Sequence, residues 1–227
     1  MNYEIEKIAS IIESECKGDV ININNDIFIN DLLFDSRLLV SPENTLFFAL
    51  KGQRNDGNKY IKELYNKGVR SFVVDNSTSS NTILSCNKAT FFVVEDTLKA
   101  LQKIAAYHRN NYNVPTIGVT GSNGKTIVKE WLYQILSPEM SVARSPKSYN
   151  SQIGVPLSVW QLNDSHQLAI FEAGISRPNE MQKLKDIIQP TIGIFTNIGQ
   201  AHGKNFDDIN HKIEEPLKSF APVDITI

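Results

Sequence analysis

Thr116-Ile-Gly-Val-Thr-Gly-Ser-Asn-Gly-Lys-Thr-Ile-Val-Lys-Glu-Trp131 is the most informative stretch of this chain. An apolar β-type run over 116–119 breaks at Gly121-Ser122-Asn123-Gly124, and a helix-compatible segment runs from Lys125 to Leu136. A strand, a glycine-rich turn and a helix start form the construction that holds nucleotide phosphates. Backbone N–H groups converge on the anion and the helix dipole favours negative charge. In such a loop Lys125 reaches the terminal phosphates and the Thr126 hydroxyl suits Mg²⁺. The general pattern G-x-x-x-x-G-K-[ST] would start at Val119, so the match is to the shorter G-x-x-G-K-T beginning at Gly121. An ordinary turn carrying a surface lysine fits less well, because the strand before and the helix after are both present. Gly121, Ser122, Asn123, Gly124, Lys125 and Thr126 are therefore the nucleotide-binding candidates, with ATP and Mg²⁺ as the expected ligands.

Working outward from Pro115, strand and helix patterns alternate. Strands are expected at 116–120, 141–143, 168–171, 192–196 and 223–227. Helices are expected at 125–136, 155–162, 178–188 and 209–220. Such alternation indicates a mostly parallel sheet with helices on its faces. The fold class is α/β: a small N-terminal α/β domain, then a partial phosphate-loop sheet with flanking helices. Upstream, a helix presents Ile5, Ile8, Ile11 and Ile12 on one face. Short strands follow near 27–29, 45–50, 71–74 and 91–94, with a helix over 58–67 and a C-cap at Gly68. Thr97 is the expected N-cap of a helix running to about Asn111. The stretch 110–115, Asn-Asn-Tyr-Asn-Val-Pro, reads as a linker, dividing the chain into 1–113 and 114–227.

Bulk properties narrow the class. A hydrophobic fraction of 41% with 21% charged residues is that of a globular domain. A formal net charge of −2 gives no basic field for nucleic acid. Apolar runs are far shorter than the ~20 residues of a membrane span, and residues 1–10 lack a secretion core. Cys16 and Cys86 have no metal-ligand spacing and read as unpaired thiols of a cytoplasmic protein.

Several other residues have chemical meaning. Glu172 ends the run Leu168-Ala-Ile-Phe171, at a strand end where open α/β sheets bind ligands. Beside a phosphate loop it is a candidate for Mg²⁺; otherwise it is a capping or solvated carboxylate. His202 follows Thr196-Asn-Ile-Gly-Gln-Ala and is either a second metal or phosphate ligand or a surface residue. His108, His166 and His211 have no such setting and are expected to be solvated. Asn150, within the polar loop 147–151, either binds substrate or caps the next helix. Ser36 and Arg37 follow an early strand and Lys51 a neighbouring one. Arg37 and Lys51 there would neutralise a diphosphate, or are simply solvated charges.

Taken together, these segments resemble the ATP-dependent Mur ligases of peptidoglycan synthesis. Thr120-Gly-Ser-Asn-Gly-Lys-Thr126 with Val128-Lys-Glu130 is similar to their phosphate loop. Tyr149-Asn-Ser-Gln-Ile-Gly-Val-Pro-Leu157 resembles a segment of the branch that adds D-alanyl-D-alanine. Phe171-Glu-Ala-Gly-Ile-Ser176 and Thr196-Asn-Ile-Gly-Gln-Ala-His202 resemble its metal-site motifs. Asp35-Ser-Arg37 and Phe47-Phe-Ala-Leu-Lys-Gly52 resemble its UDP-sugar-binding domain. The wording around Glu172 and His202 is most similar to the form fused to an alanine racemase. A folylpolyglutamate synthetase fits less well, because those enzymes usually lack a UDP-binding domain ahead of the loop.

The resemblance implies ligation of D-alanyl-D-alanine to UDP-N-acetylmuramoyl-tripeptide through an acyl phosphate. Lys125 and His202 would be catalytic; Thr126, Glu172 and His202 would hold metal. Ser36, Arg37, Lys51 and Asn150 would bind substrate. Two departures stand out. The lysine that the family carbamylates falls at Pro216, with Lys212 and Lys218 nearby but out of register. The resemblance also implies a C-terminal ligase half beyond Ile227. Turnover by these residues alone is therefore not expected, and a binding module without catalysis is the competing reading.

Overall fold

The computed structural model describes residues 2–16, 18–53, 55–174 and 180–197. These fall into two compact units that divide between Ile104 and Ala105.

In the first unit, β1 (Tyr3–Glu4) runs directly into α1 (Ile5–Cys16). There Ile5, Ile8, Ile11 and Ile12 form the buried face, each at most 3% exposed. The chain continues through β2 (Asp19–Ile21), β3 (Phe28–Ile29), β4 (Asp31–Leu33), β5 (Thr45–Phe48) and α2 (Ile61–Asn66). It then forms β6 (Ser71–Asp75), α3 (Ser80–Ser85), β7 (Thr90–Val94) and α4 (Thr97–Asn110). A five-stranded sheet has the order β2-β7-β6-β5-β4, parallel except for β2, while β1 pairs with β3 separately. Leu46, Phe47 and Phe48 are consecutive and all fully buried. An uninterrupted apolar strand of this kind is what a parallel sheet covered on both faces requires.

The second unit contains β8 (Thr116–Thr120), α5 (Lys125–Leu136), β9 (Val142–Arg144) and α6 (Gly154–Val159). After these come β10 (Leu168–Glu172), α7 (Glu180–Ile188) and β11 (Ile192–Phe195). The sheet order is β11-β8-β10-β9, all parallel. Strand side chains alternate between two cores, as period-two geometry demands. Ile117, Val119, Leu168 and Ile170 pack with Val128, Leu132 and Leu136 of α5. Ala169 and Phe171 pack on the other face with Val155, Val159, Met181 and Leu184 of α6 and α7. Glu172 pairs in register with Val119, and Phe195 with Thr120. The C-terminal ends of β8, β10 and β11 therefore meet at one edge, the ligand-binding edge of open parallel sheets.

Differences from the sequence reading are local. The helix expected over 58–67 starts as a 3-10 turn at Gly57–Tyr60 before α2. The cap of α4 is Asp96, whose carboxylate accepts from the N–H groups of Leu98 (2.9 Å) and Lys99 (3.0 Å), so Thr97 is already helical. β1, β2, β4 and α3 were not expected; all but α3 are two- or three-residue strands, too short to show a period. His108 is not solvated: it is 1% exposed, between Trp160 (4.6 Å between ring centroids) and Tyr112 (5.0 Å). Its Nε2 lies 3.0 Å from the Leu162 carbonyl, and burial lowers its pKa to about 4. One helical position further, the buried Arg109 donates to carbonyls of Tyr112 (2.6 Å), Ile188 (2.9 Å), Val114 (3.2 Å) and Gln189 (3.3 Å). It also donates to Thr116 Oγ1 at 2.8 Å, tying the start of β8 to the end of α7. The expected helix at 209–220, the strand at 223–227, Pro178, His202, His211, Lys212, Pro216 and Lys218 lie outside the described residues.

Candidate active site at the phosphate loop

The loop after β8 turns on two glycines with positive φ, Gly121 (+130°) and Gly124 (+81°). A Cβ on Gly121 would stand 2.2 Å from Thr196 Oγ1 and 3.0 Å from Asn197 backbone atoms. Glycine is required there by conformation and by space alike. Gly124 is the N-cap of α5, and its left-handed conformation turns the chain into the helix. Lys125 is half-buried, and its Nζ donates to the Gly121 carbonyl at 2.7 Å and the Ser122 carbonyl at 3.4 Å. Burial lowers its pKa, opposed by the nearby Glu172 carboxylate.

Two of the loop's N–H groups have partners that the motif does not reveal. Ser122 N donates to the Asn197 carbonyl (2.9 Å), and Asn123 N to Asn197 Oδ1 (3.0 Å). Thr196 Oγ1 bonds to the carbonyls of Asn123 (2.5 Å) and Thr120 (3.2 Å). The residues after β11 thus brace the loop. Asn197 thus accepts from two N–H groups that the motif would direct at an anion.

Thr126, Glu172 and Asn150, named separately from the sequence, come together. Thr126 Oγ1 donates to Glu172 Oε2 at 2.8 Å, and Asn150 Nδ2 donates to Glu172 Oε1 at 2.6 Å. Glu172 is only 1% exposed. Asn150 is thus not a helix cap: its side chain faces the carboxylate, and Ser151 Oγ accepts from Gly154 N at the start of α6 instead. Hard oxygen donors, a hydroxyl and a carboxylate side by side, suit Mg²⁺ rather than a soft metal. No cluster of three or more His, Cys, Asp or Glu side chains suited to a metal occurs among the described residues.

Lys129, one turn after Lys125, belongs to the Val128-Lys-Glu130 segment, but the sequence assigns it no role of its own. Its side chain is fully buried and its Nζ lies 3.2 Å from Glu130 Oε1 and 3.8 Å from Glu172 Oε2. Burial lowers its pKa, Glu172 raises it and Arg144 lowers it further. Glu130 is in turn paired with Arg144, whose guanidinium lies 3.7 Å from the centroid of the Tyr133 ring. A buried lysine paired with carboxylates is exceptional enough to demand a role. The sequence signal was faint: a lysine at an i+4 step from Lys125, flanked by apolar Val128 and Leu132.

In the first unit, Ser36 and Arg37 follow β4 and Lys51 follows β5, and these strands are parallel neighbours. The side chains therefore leave adjacent strand ends, as the sequence suggested. Arg37 Nε donates to Asp35 Oδ1 (2.8 Å), with Nη2 2.5 Å from Oδ2. The Arg37 hydrogen bond holds the Asp35 carboxyl below its ordinary range. Lys51 is exposed and its backbone bridges to Asp56.

Sheet order and loop define an α/β phosphate-loop domain. Two family models match the chain: "Mur ligase middle domain" over residues 119–221 and "Mur ligase family, catalytic domain" over 35–109. The chain thus carries Mur ligase domains. A UDP-N-acetylmuramoyl-tripeptide--D-alanyl-D-alanine ligase of Synechocystis is 39% identical over 197 residues, covering 86% of this chain and 41% of that protein. The Borreliella burgdorferi ligase of the same name is 34% identical, covering 85% of this chain and 42% of the relative. Among solved structures, MurF from Acinetobacter baumannii superimposes with a TM-score of 0.84 at 26% identity, over 98% of this chain and 47% of that one. MurF ligase from Thermotoga maritima in complex with ADP gives 0.74 at 27%, over 86% of this chain and 44% of that one. The chain spans less than half the length of the relatives it matches.

Proposed function

We propose that this chain serves in the ATP-dependent ligation of D-alanyl-D-alanine to UDP-N-acetylmuramoyl-tripeptide, a cytoplasmic step of cell-wall precursor synthesis. The observation that carries the reading is the meeting of Thr126, Glu172 and Asn150 beside the Lys125 loop. Similarity to ligases of that name over more than four-fifths of the chain supports the substrate class. In this reading residues 114–227 bind nucleotide and 1–113 bind the UDP-muramoyl substrate. The segments 171–176 and 196–202 further support the racemase-fused form.

The chemistry follows from the residues. Lys125 exchanges its loop carbonyls for phosphate oxygens and offsets the charge that gathers as the γ-phosphoryl leaves ADP. Gly121 and Gly124 keep the backbone close to the phosphates. Thr126 and Glu172 would hold Mg²⁺, which would supply positive charge to offset that of the phosphates. Asn150 directs an amide donor to the same edge, where the tripeptide carboxylate must sit to accept the phosphoryl group. His202 would complete a second metal position. Ser36, Arg37 and Lys51 would bind the UDP diphosphate, with Asp35 as the partner that Arg37 must leave or share. The D-alanyl-D-alanine amine would attack the acyl carbon so activated, forming the amide as the carbon–oxygen bond to phosphate breaks and inorganic phosphate leaves.

Calorimetric titration of Lys125→Ala with Mg·ATP tests the nucleotide site. Loss of a charge-assisted contact worth about 1.5–3 kcal/mol should weaken binding roughly 10- to 150-fold. Unchanged affinity would refute the assignment.

A further inference from the structure

We infer that Lys129 is a positioning residue that clamps the 145–147 turn to the phosphate-loop helix and thereby sets Asn150 against Glu172. The inference rests on the site reading above and extends it to a residue that touches neither phosphate nor substrate.

Lys129 Nζ donates to the Ser145 carbonyl at 2.9 Å and also to the Lys147 carbonyl. These carbonyls belong to the turn between β9 and α6, whereas Lys129 belongs to α5. Lys147 has φ of +50°, a left-handed conformation that costs free energy for any residue but glycine. Its own side chain is exposed. The carbonyl bond from Lys129 stabilises that backbone from beneath. Three residues later Asn150 reaches Glu172 Oε1, and the Asn150 carbonyl accepts from Gly174 N at 2.8 Å. A single buried ammonium thus spans the helix after the loop, the turn carrying the substrate amide and the strand end carrying the carboxylate.

Ser145 provides an internal reference. Its N–H donates to the Ile170 carbonyl (3.1 Å) and its Oγ accepts from Glu172 N (3.1 Å), so β10 holds it independently of Lys129. Tyr149 N and Asn150 N bond within the turn, to the Pro146 (3.2 Å) and Ser148 (2.9 Å) carbonyls. The clamp, if removed, should release these two amides and leave Ser145 protected.

Hydrogen exchange on the 227-residue chain tests this directly. In Lys129→Met, the Tyr149 and Asn150 amides should exchange at least about tenfold faster, with Ser145 and the β10 amides unchanged. Glu172→Gln and the double variant Lys129→Met/Glu172→Gln repeat the comparison without an unpaired buried carboxylate. The same acceleration there supports the clamp. If it vanishes, Lys129 serves only as a counter-charge and the inference is overturned. The second arm is Mg·ADP titration: Lys129→Met should bind about tenfold more weakly, and adding Lys147→Gly should recover most of the loss. Glycine adopts the turn conformation without the clamp. Weak binding that Lys147→Gly leaves untouched would overturn the inference. Wild-type protein that binds no Mg·ADP would count against the nucleotide reading alone, and the exchange comparison would then decide the clamp.

Discussion

Gly121→Ala should disable the nucleotide site more completely than its size suggests. The new methyl would meet Thr196 Oγ1 at 2.2 Å and Asn197 N and O at 3.0 Å. Relief requires Thr196 to turn away, giving up its bonds to the Asn123 and Thr120 carbonyls. Moving Asn197 as well would loosen its bonds from Ser122 N and Asn123 N. An alanine at φ near +130° adds backbone strain of about 1–3 kcal/mol. Two or three weakened hydrogen bonds add about 1 kcal/mol each. The native loop is therefore disfavoured by roughly 3–6 kcal/mol, and binding to it should fall by at least about a hundredfold. The loop can open without the sheet unfolding, so the thermal midpoint should move much less than the affinity does. Titration calorimetry with Mg·ADP, alongside a thermal melt, measures both. Gly121→Ala/Thr196→Ala removes the clash but not the φ strain, and should recover only part of the affinity. Wild-type binding by Gly121→Ala would refute the claim that Thr196 and Asn197 brace this loop.

Two further predictions concern stability. His108 has a depressed pKa of about 4 in the fold, against 6.5 unfolded. Its contribution is complete above pH 6.5 and is lost as pH falls towards 4, because the unfolded chain binds the proton more readily. Denaturant titrations at pH 7 and 4.5 should therefore differ by about 2–3 kcal/mol more in the natural chain than in a His108→Gln variant. Arg109→Met should cost about 3 kcal/mol or more in urea denaturation at pH 7, since it strips a charged donor from several carbonyls and Thr116. Loss of less than about 1 kcal/mol would mean that those carbonyls find other donors.

What the sequence determined was local and periodic. The phosphate loop is readable because glycines, lysine and threonine act through the few residues around them. β8, α5 and β10 are readable because burial on defined faces imposes spacings on apolar residues. Thr126 and Glu172, far apart in the chain, were each legible as a Mg²⁺ candidate, one at the start of the helix after the loop and one at a strand end. Tertiary structure alone decided what those residues touch. Nothing near Asn197 announces that it accepts from the loop N–H groups, because that bond depends on β11 lying beside β8. Nothing around His108 distinguishes it from an exposed histidine; its neighbours Trp160 and Leu162 arrive only when α6 packs. Lys129, given no role by the sequence, is fully buried, with carbonyls from one turn and carboxylates from α5 and β10 around it. Burying an ammonium is tolerable only when partners converge from several elements at once. Such convergence exists in the fold, not in any window of the sequence.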